Sequence, residues 1–202
     1  MKKLYKFIIF VIFTLFFSSC NFTTHGAQAC QISEREKAVN KAMERNTRIL
    51  SEKYGMHPFG ITVAMPGGNI QYLELAFQIC GPLSQESIRK ILIDVAHEFI
   101  SDINSDQKLC SYLTNHTFNI NQIGITLFLI DSHRMPIRDP EIGIASIEKG
   151  KIIYDKRAEK YDEYLQRNMP FYTSSYTESY EEALQILNSQ VEGSAVHKWC
   201  TD

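Results

Sequence analysis

Hydrophobic positions along this chain recur with two periods, and the switches between them outline its elements. Ser33-Glu34-Arg35-Glu36 is an S-x-x-E capping box, in which the outer side chains satisfy free N–H groups at a helix start. Ala38, Val39, Ala42, Met43, Ile49, Leu50 and Tyr54 follow at helical spacing up to Gly55. They form a thin stripe that predicts a surface helix over 34–54. The period then drops to two. Ile61, Val63 and Met65 share one face of a strand over 59–65, and Leu73, Leu75, Phe77 and Ile79 one face of a strand over 70–79. Pro66-Gly67-Gly68-Asn69 between them is turn chemistry, so the pair reads as a hairpin.

Ser84 caps the strongest helix, with Leu83 and Ile88 placed as a hydrophobic staple. Ile88, Ile91, Leu92, Val95, Ala96, Phe99, Ile100 and Ile103 give it one wide apolar face that should cover a sheet. Residues 104–122 are polar and mixed, with room for a short helical turn near 109–113. Ile123, Ile125, Leu127 and Leu129 alternate as in a central strand. Residues 142–147 and 151–155 read as a second hairpin across Glu148-Lys149-Gly150. Ser175 and Glu178 have capping-box spacing and open a last helix to about residue 188, with Tyr176, Tyr180, Ala183, Leu184 and Leu187 inward.

The order is helix, two strands, helix, three strands, helix. Short hairpins favour antiparallel pairing. The expectation is an α+β two-layer sandwich, with a mainly antiparallel sheet of about five strands packed on helices, in one domain over 32–188. The strand faces opposite the apolar ones carry small or polar residues: Gly60, Thr62, Ala64, Ala76, Gln78, Gly124, Thr126, Gly143 and Ala145. Such a face is either solvated or a smooth docking surface, because small side chains permit close approach.

Composition alters this picture at one end only. With 202 residues, 44% hydrophobic and 22% charged, the chain is an ordinary globular one on average. The average mixes two pieces. Residues 1–19 hold Lys2, Lys3 and Lys6 and no acid, while all 23 Asp and Glu lie beyond them. The formal charge is −2 for the whole chain, and −5 once those three lysines are set aside. That balance argues against nucleic-acid binding, which needs a basic face.

Residues 7–17 (FIIFVIFTLFF) form an apolar run broken only by Thr14. A membrane-spanning helix needs about 20 apolar residues, so this shorter run behind lysines reads as a secretory signal. Ser18-Ser19-Cys20 directly after it resembles the lipobox of bacterial lipoproteins. The resemblance covers residues 1–20 only. It implies cleavage before Cys20, diacylglyceryl modification of that thiol and acylation of the new N-terminus. It also implies sorting to the outer membrane, since Asn21 rather than Asp follows. Ordinary cleavage after Ala27-Gln28-Ala29 is the alternative, and would leave an unanchored secreted protein. Residues 20–31 then read as a tether, and 189–202 as a mobile tail.

Four cysteines remain beside Cys20, an even number in an exported chain. Cys30 with Cys200 would tie the ends together, which leaves Cys80 with Cys110. No C-x-x-C occurs.

Two constellations invite a chemical reading. His97-Glu98 lacks the second histidine of H-E-x-x-H, Ser101 standing in its place, so the group reads as a solvated helix face beside Asp94. Asp131, His133, Arg134, Arg138, Asp139 and Glu141 form the densest mixed-charge stretch, behind the central strand. It is either an anion-contacting loop with Asp131 and His133 as an acid/base pair, or an exposed connection. Six of the ten tyrosines fall between residues 154 and 180. Tyr161, Tyr164 and Tyr172 lie in a stretch without pattern and are interface candidates. Neither G-x-S-x-G nor a phosphate-cradling glycine loop is present, and no cofactor is expected.

Together these features describe a lipid-anchored cell-envelope protein. Its folded part acts as a non-catalytic binding or scaffolding module toward another envelope protein or glycan. An envelope hydrolase or transferase using loop 131–141 is the competing expectation.

Overall fold

A computed structural model describes residues 33–113 and 117–196. Helix α1 (Glu34–Tyr54) begins directly after Ser33 and buries Val39, Ala42, Met43 and Leu50. Strands β1 (His57–Ala64) and β2 (Tyr72–Cys80) pair antiparallel across a turn whose Gly67 and Gly68 take φ of 64° and 86°, where a side chain would be strained. Helix α2 (Gln85–Ser105) starts at Ser84, whose Oγ accepts the Ser87 N–H at 3.2 Å. Its Ile88, Leu92, Val95, Ala96, Phe99 and Ile103 are wholly buried. A short α3 (Gln107–Cys110) leads toward β3 (Ile123–Ile130), followed by β4 (Ile142–Glu148), β5 (Lys151–Asp162), β6 (Arg167–Ser179) and α4 (Tyr180–Val196).

The result is an α+β sandwich with one six-stranded sheet in sequence order. Every neighbouring pair is antiparallel except β2 and β3, which run parallel because α2 carries the chain back to the starting end. Leu73, Leu75, Phe77, Ile125, Leu127, Ala145, Ile147, Ile152 and Tyr154 share the face that meets the helices. Ala145 therefore belongs to the core, not to the small-residue face expected of it, and Ile144 points the other way.

The sheet has one strand more than expected. β5 continues to Asp162, and β6 occupies a stretch that shows no alternation in sequence. The reason is that Arg157–Asp162 and Arg167–Tyr172 project beyond the last paired residue of β4, as a two-stranded arm with little to bury against. The capping box that opens α4 lies four residues later than Ser175–Glu178. Ser179 N–H donates to Glu182 Oε2 at 2.8 Å, and Glu182 N–H donates to Ser179 Oγ at 3.1 Å. Ser175 sits in β6 instead and donates to the Tyr154 carbonyl at 2.9 Å. Helix α4 runs on to Val196, past the expected end near residue 188.

The expected Cys80–Cys110 disulfide is not formed; both are free thiols. Leu113, just after Cys110, bridges Ile70 at the start of β2, whereas Cys80 closes the other end of that strand. Nine residues at about 3.3 Å each part the two ends, against the roughly 7 Å between Cα atoms that a disulfide tolerates. Cys30 and Cys200 lie outside the described residues.

Glu178, read above as a capping residue, is instead buried. Arg89 of α2 holds it bidentately, Nε to Oε1 at 2.8 Å and Nη2 to Oε2 at 3.0 Å, and Tyr154 Oη donates to Oε1 at 2.6 Å. The two charged side chains are 7% and 1% exposed. Burial pushes the Tyr154 phenol far up, and the Glu178 hydrogen bond adds to it. Between α1 and α2, Arg45 bridges Asp102 and Asp106, and Glu98 accepts from Lys53 Nζ and Tyr54 Oη at 2.6 Å each. Burial raises the Glu98 carboxyl, but these two donors outweigh it and hold it below its ordinary value. Asp106 is shifted the same way: burial opposes, while Arg45 and the Leu109 and Lys108 N–H groups prevail.

Both sheet edges carry features that hinder a further strand. Pro58 stands in β1 beside an irregularity between Pro58 and Gly60, and Pro170 stands in β6 with another at Ser175. Proline removes a donor and a bulge bends the ladder, two devices that blunt edge pairing.

Two outcomes follow. Arg89→Ala leaves Glu178 buried without its cation and should cost about 3–5 kcal/mol in urea unfolding. The Arg89→Met/Glu178→Leu double variant should regain more than half of that. Because Glu98 and Asp106 have depressed values in the folded state, their stabilisation is complete above the unfolded carboxylate range and lost as pH falls through the folded values. The urea midpoint should therefore drop below about pH 4, less steeply in Glu98→Gln, as read by circular dichroism across pH.

Candidate functional site

The face of the sheet away from the helices is covered by no described element. Register places its side chains in rows. Glu74, Gly124, Glu148 and Lys151 lie side by side across β2–β5; next come Ala76, Thr126, Ser146 and Ile153, and then Gln78, Phe128, Ile144 and Asp155. Phe59 of β1 leans onto Phe128, ring centroids 4.6 Å apart, and is 57% exposed. The face thus grades from carboxylates at the Ala64–Tyr72 end to aromatic and aliphatic groups at the other.

A cavity of about 580 Å³ opens at the carboxylate end, lined by Tyr72, Glu74, Thr126, Ser146, Glu148 and Lys149 among others. Thr126 Oγ1 donates to Glu74 Oε1 at 3.0 Å. Tyr72 lies across Gly124: a Cβ there would stand 2.1 Å from Tyr72 Oη. The missing side chain is what lets the ring lie down. Burial, then the charges of Glu74 and Glu148, push the Tyr72 phenol up to about 12. The phenol stays a neutral donor in a negative field, suited to polar and basic groups.

The residues singled out in the sequence fall in two other places. In loop 131–141, Asp131 Oδ1 accepts the backbone N–H groups of His133 and Met135 at 2.9 and 2.8 Å. Asp131 thus meets the His133 backbone and shapes a turn, rather than forming an acid/base pair with its ring. Arg134 takes φ 62° in that turn. Ile137 N–H returns to the Leu129 carbonyl at 3.0 Å, fastening the loop to β3. Arg138 pairs with Glu159 at 2.9 Å, and Asp139 with Lys156 at 3.5 Å. The loop's charges tie it to β5.

Tyr161 and Tyr172 lie on the arm, 57% and 43% exposed, and Tyr164 at its tip is 94% exposed. Register sets Tyr161 opposite Asn168 and Tyr172 opposite Arg157, so both continue the uncovered face outward. His97 is exposed, and its neighbours Asp94 and Glu98 are held by Lys90 and by Lys53 with Tyr54. Among the described residues no three His, Cys, Asp or Glu groups are placed to hold a metal ion. Cys20 lies outside the described residues.

No family model matches this chain, and no curated protein or solved structure matches it either. The site therefore rests on its own geometry. Sequence reading missed Tyr72, Glu74, Glu148, Phe128 and Ile144. The alternation of β2 marks Tyr72 and Glu74 as sharing a face with Ala76 and Gln78; what joins them to Glu148 is register across three strands.

The loop assignment is checked by stability. Asp131→Ala, which frees two backbone N–H groups, should cost about 1–2 kcal/mol. His133→Ala should stay within about 0.5 kcal/mol of wild type in the same denaturation.

Proposed function

We propose that this is a lipid-anchored cell-envelope protein, held through Cys20 at the outer membrane, whose folded domain is a non-catalytic binding module working through the uncovered sheet face. The observation that carries this reading is the one-sided packing. Helices cover one side of a six-stranded sheet, while the other presents small, aromatic and carboxylate side chains in register. Solvated sheet faces alternate to strongly polar residues. Here Phe59, Phe128, Ile144 and Ile153 stand where such residues are expected.

The anchor is supported by Ser18-Ser19-Cys20 behind a short apolar run. Several acyl chains, each buried methylene worth about 0.8 kcal/mol, hold a protein at a membrane where one chain does not. The polar loop 131–141 supplies turn and strand contacts rather than a converging catalytic group, so binding is the reading preferred.

Metabolic labelling with a clickable fatty acid should mark wild type and leave Cys20→Ala unmarked; equal labelling of the two sinks the anchor. Crosslinking in intact membranes through a photoreactive residue at Ser146 should capture a protein or glycan. Capture only from a helix-layer position such as Lys41 would sink the binding face.

A further inference from the structure

We infer that the uncovered sheet face is completed by a second copy of this chain, packed face to face about a two-fold axis that runs parallel to the strands between β3 and β4. The inference deepens the reading above by naming the partner, and its choice of axis rests on the Cys20 anchor.

The register rows carry the argument. Such an axis lays β2 over β5 of the second copy, β3 over β4, and reverses each row onto itself. In the first row Glu74 then faces Lys151 of the second copy, opposite charges at the same level, and the Tyr72 hydroxyl lying over Gly124 faces Glu148. In the second row small Ala76 faces large Ile153, and Thr126 faces Ser146. In the third Phe128 faces Ile144, twice by symmetry, and Gln78 faces Asp155. Glu74 thus meets an opposite charge, Ala76 a larger side chain, and Phe128 an apolar one. Glu148 comes nearest its own mate, but at the exposed rim, flanked by Lys149 and Lys151.

Size and anchorage agree with this. Six strands about 4.8 Å apart, sharing about seven residues of length, span on the order of 600 Å² in projection. A stable interface buries about 800 Å² per partner, a value reached once side chains are counted. Sheets pack in this way about 10 Å apart with aligned strands. Helix α1 begins near the Ala64–Gly68 end of β1, to whose turn Arg35 donates at the Gly68 carbonyl. The 12 residues between Cys20 and Ser33 reach at most about 45 Å. An axis along the strands puts both helix starts at one end, so both lipids enter the same bilayer. A two-fold across the strands would send them to opposite ends.

Sedimentation equilibrium of the full chain in density-matched detergent tests it. Wild type should be dimeric. Ile144→Arg should be monomeric with an unchanged circular-dichroism spectrum. Glu74→Lys and Lys151→Glu should each weaken the dimer about tenfold or more, and the two combined should return it to within about threefold of wild type. A monomeric wild type overturns the inference, and if the Ser146 probe then captures a different envelope component, the binding reading survives. A dimer indifferent to Ile144→Arg overturns it. Loss with Ile144→Arg but no rescue by the combined charge swap overturns the axis. A rescued dimer in a chain that carries no fatty acid removes the anchor and keeps the dimer.

Discussion

The Arg89–Glu178 pair joins two parts of the fold that sequence separation keeps apart. It lies under the junction where β6 gives way to α4, and Tyr154 from β5 completes it. Burying two charges is costly, and such a pair adds little over well-packed apolar groups. Its value is geometric. The guanidinium fork accepts one orientation of the carboxylate, which sets the register of β6 against α2. Ser179 then stands at the start of α4, and the arm projects past β4.

The α1–α2 contacts work differently. Arg45 with Asp102 and Asp106, and Glu98 with Lys53 and Tyr54, are partly exposed. They hold two helices side by side over the first half of the sheet. The apolar stripe of α1 is narrow, with Ile49 41% exposed. Polar clamps therefore fix a helix that burial alone orients weakly.

Alternation and turn signals made the first five strands legible, because β2 to β4 bury one face each and β1 and the start of β5 hang on marked turns. The helices were legible where an apolar stripe met a cap, as at Ser84. The stretch after residue 155 was not. Ser175–Glu178 and Ser179–Glu182 have the same capping spacing, and only the three-dimensional position of Arg89 shows that Glu178 is occupied elsewhere. Arg89 itself sits between apolar Ile88 and Ile91 and reads as a solvent residue. The arm carries no periodicity because neither of its faces is deeply buried. The uncovered face was half visible: its small residues stood out, while the carboxylates and Phe128 gained meaning only through register across strands. The tyrosines at 161, 164 and 172 were recognisable as surface groups, and the structure gathers them on one arm.

The proline and bulge in each outer strand bear on what crowding does to a sheet. Chains held at high local concentration meet far more often than the same number dispersed in a larger volume. A sheet with a bare rim would, under that crowding, recruit neighbour after neighbour into an open-ended ribbon. Pro58 and Pro170 hinder growth sideways, so whatever these molecules build stays countable.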